Sequence, residues 1–407
     1  MSESSNSEKQ EKLKSIIKRL HEGADIESVK KEFSKLIKNV SPDEISDMEN
    51  ALINEGMPAE EVQRLCDIHV EVFKASLKKQ KKESKIPGHP VHSYIEENKA
   101  LKGILRRFNS LLKKISRGNA DEKTIQSFIS EFNKLKEIEK HYTRKENQLF
   151  PFLEQKGFSG PSKVMWGKHD EVRGLLKQVQ DCINNEKWNE LTKAGKKLSS
   201  DIKGMIFKEE KILFPTAMKK LNQEDWVKIR KGENEIGYAW ITPGNVWDAN
   251  LTQQLSTQRQ AEEEMKKPVD DTISNFHLDE GTLTLEQMHL MLKNLPLDIS
   301  FVDENDKVKY YSATDDRIFP RSPGVIGRDV HNCHPPKSVH VVERILQSFK
   351  NKEKKNAEFW ITMNDRFIHI RYFALYDNEG RYKGVIEVSQ DVTDIRSLQG
   401  EKRLLDW

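Results

Sequence analysis

Two stretches of this chain end almost alike. His141-Tyr-Thr-Arg-Lys-Glu-Asn-Gln-Leu-Phe-Pro151 and Met205-Ile-Phe-Lys-Glu-Glu-Lys-Ile-Leu-Phe-Pro215 each place metal-ligand side-chain types a few residues ahead of Leu-Phe-Pro. Between them Met165, Val172, Leu176, Val179 and Ile183 recur at a helical period, and His169 falls on their stripe. Glu209 falls on the stripe of Leu191, Leu198, Ile202, Met205 and Ile212. His141 edges the face of Ile125, Phe128, Phe132, Leu135 and Ile138, and Asn98 shares that of Ile95, Leu101, Leu105, Phe108 and Leu112. A carboxylate on a core stripe is costly unless something positive pairs with it. A metal ion is one such partner. A satisfied buried polar residue is the bland alternative for any one of these positions alone.

The elements that position these groups are four helix-length segments between residues 87 and 221. Each offers one inward polar or soft group: Asn98, His141, His169 and Met205, with Glu209 added. The segment resembles a haemerythrin-like (HHE) cation-binding domain, a four-helix bundle in which His residues and the Glu of His-x-x-x-Glu motifs hold two irons. Gly-Lys-His169-Asp-Glu-Val-Arg and the twin Leu-Phe-Pro ends carry the resemblance. It implies His141, His169 and Glu209 as metal ligands. Three positions depart from the pattern. Lys145 stands where the first motif would have its Glu, Met205 where the second would have its His, and Asn98 where the first helix usually has its His. Glu146 is one residue further on, about 100° round a helix.

His89 and His92, in Pro-Gly-His-Pro-Val-His, are further candidate ligands. His92 and Glu96 share a face that lies away from Asn98. His89 precedes Pro90 in what suits a first helical turn, so its loop is a candidate to fold back over the bundle end. The expected cofactor is non-haem iron or haem b, the latter with His141, His169 and Met205 as candidate ligands. A bundle without metal is the third reading.

The 407 residues suffice for two to four domains. One-third are charged, the net charge is only +3, and no apolar run approaches the roughly 20 residues of a membrane helix. No nucleic-acid partner and no membrane partner are therefore expected. The N-terminus shows no signal peptide, and Cys66, Cys182 and Cys333 are scattered, which suits a reducing cytoplasm.

The fold class expected is multidomain, α plus α+β. Residues 9–80 read as short helices, with a capped start at Ser41-Pro42-Asp-Glu44. Glu-Gly-Met-Pro and Leu-Cys66-Asp-Ile-His69 make this region similar to an uncharacterised helical module that precedes haemerythrin-like and PAS domains. Residues 87–221 form the bundle. Residues 222–282 hold an aromatic flap from Trp226 to Trp247 and a polar linker. Residues 283–396 read β-β-short helices-β-β-β. Ser-Gln-Asp391-Val-Thr-Asp-Ile-Arg and Val-Ile-Gly-Arg-Asp-Val make them resemble a PAS sensor domain with an antiparallel sheet. His331, Cys333 and His334 are candidate ligands in its cleft, for haem iron or another metal.

No nucleophile-base-orienter set and no phosphate-cradling Gly-rich loop occurs, so an enzyme is not expected. The expectation is a cytoplasmic sensor or signalling protein. An iron or haem centre would report a small gas (oxygen or nitric oxide) or a redox signal, passed on by the PAS domain to a protein partner or through a PAS homodimer. Iron handling, nitric-oxide stress chemistry and an interaction scaffold with degenerate metal sites are the alternatives.

Overall fold

The structure is a computed structural model that describes residues 86–118, 120–247, 276–277, 280–314 and 317–402, with residues 11, 12, 15 and 19. The readings made for the rest of residues 9–80, Cys66 and His69 among them, and for most of the polar linker lie outside the described residues. The chain forms two compact units that divide at Gln258.

In the first unit α1 (Pro90–Ile115) and α2 (Glu122–Lys136) form one pair, and α5 (Gly160–Asn184) and α6 (Trp188–Lys208) another. The second long helix of the bundle is composite. α2 leads into α3 (Ile138–Arg144), a π turn (Lys145–Leu149) and α4 (Phe150–Gln155). The fourth repeats the device: α6 runs into a π turn (Glu209–Leu213) and α7 (Phe214–Lys220). Phe150 donates its N–H to the Lys145 carbonyl and Phe214 to that of Glu209, five residues back in each case. The cause lies in the twin Leu-Phe-Pro ends. Pro151 and Pro215 have no N–H to give and their rings crowd the preceding turn, so the α ladder cannot pass through them unchanged. α8 (Gln223–Ile236) follows, with an Asn222–Asp225 capping box.

Leu101, Phe108, Phe128, Phe132, Val179, Leu198 and Ile202 fill the bundle below the polar layer, as their stripes require. Each buried Phe or Leu contributes about 1.5–3 kcal/mol. The segment after α8 crosses the bundle end as the flap expected from its aromatic residues. Trp240 Nε1 donates to the Lys134 carbonyl (2.7 Å) and Trp247 N to that of Pro87 (2.9 Å). At the second contact Gly88 and Gly244 meet backbone to backbone. A Cβ on Gly88 would lie 2.5 Å from the Gly244 carbonyl oxygen, so a side chain there would part the two segments.

The second unit holds a five-stranded antiparallel sheet of β3 (Asp298–Asp303), β4 (Val308–Tyr311), β5 (Asn356–Met363), β6 (Arg366–Tyr376) and β7 (Tyr382–Asp391), after a short β1–β2 pair (Phe276–His277, Thr282–Leu283). Its order is β4-β3-β7-β6-β5. Ahead of the sheet lies α9 (Leu285–Asn294), and α10 (Pro336–Lys350) connects β4 to β5. Val302, Val308, Val385, Leu346 and Phe349 form the core between sheet and α10. The architecture is the helical bundle plus antiparallel sheet read from the sequence.

Candidate functional site

The polar layer of the bundle is a closed set of buried charges. His141, on α3, faces two carboxylates: Nδ1 lies 2.7 Å from Glu97 of α1 and Nε2 lies 3.1 Å from Glu209. The Asn98 amide donates to Glu209 as well (2.9 Å). Lys145, first residue of its π turn, puts Nζ against the other Glu209 oxygen and 3.0 Å from Nε2 of His169 on α5. On its far side His169 Nδ1 meets Glu146 at 2.6 Å. Burial lowers the Lys145 amine and Glu209 opposes this. With the amine protonated against Glu209 it can only donate, so His169 Nε2 accepts from it and Nδ1–H donates to Glu146. Glu146 is held in turn by a bidentate Arg173 (3.0 and 2.9 Å).

Among Glu97, Asn98, His141, Lys145, Glu146, His169 and Glu209, the most exposed is Glu146, at 3%. Burial pushes the Glu209 carboxyl up, but Lys145 and His141 outweigh it and hold it at about 2. Burial likewise opposes the ionisation of Glu97, but His141 and Arg144 outweigh it and hold the carboxyl at about 2. Glu146 goes the other way: burial pushes it up to about 7 despite Arg173. Burial, then Lys145 and Arg173, keep His169 well below the ordinary imidazole range, which fits a neutral ring accepting from an ammonium.

Of the residues singled out from sequence, the fold brings His141, His169, Glu209 and Glu146 together. Glu146 reaches His169 although it follows Lys145 directly, because the π turn turns both inward. Met205 is buried in an apolar cluster with Tyr94, Leu213 and Phe214. His89 stays outside the layer. It caps α1, accepting from Val91 N at Nδ1 (3.2 Å), between the rings of Trp226 (4.7 Å) and Trp247 (5.1 Å). His92 pairs along its own helix with Glu96 at 3.7 Å.

Further residues, not singled out in the sequence, complete the layer. Arg144 donates twice to Glu97 (2.9 and 2.7 Å) and once to Glu233 of α8 (3.0 Å), with its guanidinium between the rings of Tyr94 and Tyr238, 4.4 Å from each. Ala239 N of the flap donates to Glu97 (2.7 Å). Tyr142 stacks on His169 at 3.9 Å. A signal existed: His141, Arg144 and Lys145 are spaced i, i+3, i+4 and share a helix face.

These residues do not fit a two-iron centre. One carboxylate faces the middle of the layer, and an ammonium stands against it and against the inward nitrogen of His169. Nor do they fit haem b. His169 lies face to face with Tyr142 and, on a nearly parallel plane, Phe150, and both nitrogens of both histidines are engaged. Among the described residues no three His, Cys, Asp or Glu side chains are placed to hold a metal ion. A single ion would have to take the place of the ammonium.

In the PAS-like unit His331 bridges Asp329 (2.6 Å) and Glu343, and the Cys333 thiol donates to the Asp329 carbonyl (3.6 Å). His334 is held at about 4 by burial and by Arg321 and Arg328. These three do not converge on one point. A different polar group lies on the core-facing row of the sheet, where Asp298 pairs with Arg317 (2.5 Å) and Glu387 with Arg321 (3.8 Å). Ser300 sits opposite Glu387, and Asp298 opposite Ser389.

Comparison with known proteins matches residues 89–217 to the Hemerythrin HHE cation binding domain, residues 288–393 to a PAS domain and residues 13–79 to a family of unknown function, DUF438. No curated protein matches the chain. Among solved structures, a C-terminal domain from Streptococcus mutans is 30% identical, covering 32% of this chain and 100% of its own, with a TM-score of 0.31. The PAS domain of a Colwellia psychrerythraea protein is 17% identical over 27% of this chain and 98% of its own (TM-score 0.23). A sensory box sensor histidine kinase from Vibrio cholerae is 10% identical over 35% and 98% (TM-score 0.21). No helix among the described residues is long and apolar enough to cross a membrane. The chain thus carries a segment of that family of unknown function, a haemerythrin HHE domain and a PAS domain, in that order.

Proposed function

We propose that this chain is a cytoplasmic sensor or signalling protein and not an enzyme, with the PAS domain as receiver and the haemerythrin bundle as a charge-locked relay. The observation that carries this reading is the closure of the buried layer. Glu97, His141, Lys145, Glu146, His169 and Glu209 are turned on one another, from each of the long helices of the bundle. Such a set has no group left over for turnover, yet a change at one member is felt on every helix. Buried ion pairs are poor stabilisers for their cost, which favours a role beyond holding the fold. The pairing of a haemerythrin domain with a PAS domain supports the sensor class.

The PAS domain is the receiver in this reading because charged side chains line the core-facing row of its sheet, where apolar packing would suffice for folding. A homodimer through the PAS domain is part of the proposal, supported by Trp360 at 60% exposure and Phe373 at 36% on the opposite face. The test is native mass spectrometry and visible spectroscopy of the full chain purified without oxygen. A retained small molecule that Arg321→Ala releases, with the bundle's melting unmoved, is the expected result. Stoichiometric iron, or a Soret band that shifts with nitric oxide, would overturn this assignment and give the sensing role to the bundle.

A further inference from the structure

We infer that Lys145 is the resident cation of this bundle, and that removing its amine turns His141, His169 and Glu209 into a site for one divalent metal ion. The inference goes beyond the signalling role, which stands or falls separately.

The first ground is how the two histidines are held. Each has its outer nitrogen, Nδ1, fixed by a buried carboxylate: Glu97 for His141 at 2.7 Å and Glu146 for His169 at 2.6 Å. Histidines that ligate metals are oriented this way, with a carboxylate on the nitrogen away from the ion. Their Nε2 atoms then turn toward Glu209 and the amine. The donor types that face inward are two imidazoles and one carboxylate, a set that suits a single divalent transition-metal ion with positions to spare.

The second ground is what occupies that position. Lys145 Nζ contacts Glu209 and His169 Nε2, and lies 4.5 Å from the ring centroid of Tyr142. The amine takes from Glu209 and His169 the two contacts a metal ion would take. An ion and the ammonium cannot share the place, since both are positive and both need the same lone pairs. Asn98 adds a third ground. Its amide nitrogen is committed to Glu209, while its oxygen, fully buried, has no hydrogen-bond partner. A buried acceptor of this kind is a ready further donor to a cation.

Loss of the amine leaves its two partners without that cation. Without the amine, Glu209 keeps only His141 and Asn98, and His169 Nε2 becomes an unpaired acceptor in the bundle interior. A divalent ion satisfies both at once.

The experiment is a cobalt(II) titration of the full chain after chelation and desalting, followed by visible absorption and by melting temperature. Wild type is expected to give no saturable cobalt band and no melting shift. Lys145→Ala is expected to give a band saturating near one cobalt per chain, with a higher melting temperature, both abolished by adding His169→Ala. A one-per-chain cobalt band in wild type that His169→Ala removes would overturn the inference. So would a folded Lys145→Ala chain that takes up no cobalt. If Lys145→Ala or Lys145→Ser is unfolded without metal, the read-out is refolding with cobalt: recovered helicity supports the inference, and no recovery by either variant overturns it.

Discussion

The bundle and the PAS domain both bury carboxylates beside cations, and Glu97 and Glu209 of the bundle differ in sign from Asp298 and Glu387 of the PAS sheet. Glu97 and Glu209 in the bundle are held down at about 2. Asp298 and Glu387 in the PAS sheet are pushed up, by burial acting against Arg317 and Arg321. Desolvation works on all four, so the difference lies in the donors. Glu97 receives His141, two guanidinium N–H groups of Arg144 and a flap amide, all within 2.9 Å. Glu387 has Arg321 at 3.8 Å, and Asp298 has one close guanidinium with two amides at 3.3 Å. The carboxylates held down, Glu97 and Glu209, each have two positive groups at short range, whereas Glu146, with Arg173 as its one close cation beside a neutral His169, is pushed up like the PAS pair.

The two regions differ in reach as well. Asn98 and Glu209 are 111 residues apart, Arg144 and Glu233 89, and His141 and Glu209 68. In the PAS domain His331 binds Asp329 two residues away and Glu343 twelve away. The bundle's charges tie distant helices together, whereas this PAS cluster organises one loop.

The largest effect is expected on removing Arg144, which compensates both Glu97 and Glu233. Arg144→Ala should destabilise the bundle toward the upper end of the about 3–5 kcal/mol seen when one partner of a buried ion pair is lost, measured by denaturant unfolding. Lys145→Ala in metal-free buffer should cost about 3 kcal/mol by the same rule, because His141 and Asn98 still hold Glu209. A loss under about 1 kcal/mol in both variants would mean that the layer does not hold the helices. Arg317→Ala should cost the PAS domain less, about 1–3 kcal/mol, and leave the bundle's transition where it was.

His331 should give the smallest effect, at most about 1 kcal/mol, since its partners are half-exposed. Asp329, against burial, and Glu343 raise its imidazole above the usual range. A raised folded value means that its contribution is fully present below the unfolded pKa of about 6.5. The stability gap between wild type and His331→Ala should therefore close as pH rises through the folded value. A gap that widens with pH would reverse the assigned sign.

Much of this was legible in the sequence. The stripes located the helices, and the polar residues that interrupted them, His141, His169 and Glu209, do lie in one buried layer. Lys145 was visible as a departure, but straight-helix geometry separates it from Glu146, and only the π turn brings both to His169. That turn is encoded in the Leu-Phe-Pro ends, whose effect on the ladder a periodicity count does not register. Arg144 was harder to find because its partners are remote in sequence, Glu233 89 residues away and Glu97 47. In the PAS domain the strands were legible from alternation. The pairing of Asp298 with Arg317 was not, because Arg317 lies in an irregular connection whose path no pattern sets.

The most direct measurement is X-ray diffraction at the iron absorption edge, on crystals of the full chain grown with ferrous iron under anaerobic conditions. The account predicts no anomalous peak between Glu209 and His169, with continuous density from the Lys145 side chain to the Glu209 carboxylate. An iron peak at that position, with Lys145 turned away, would contradict it.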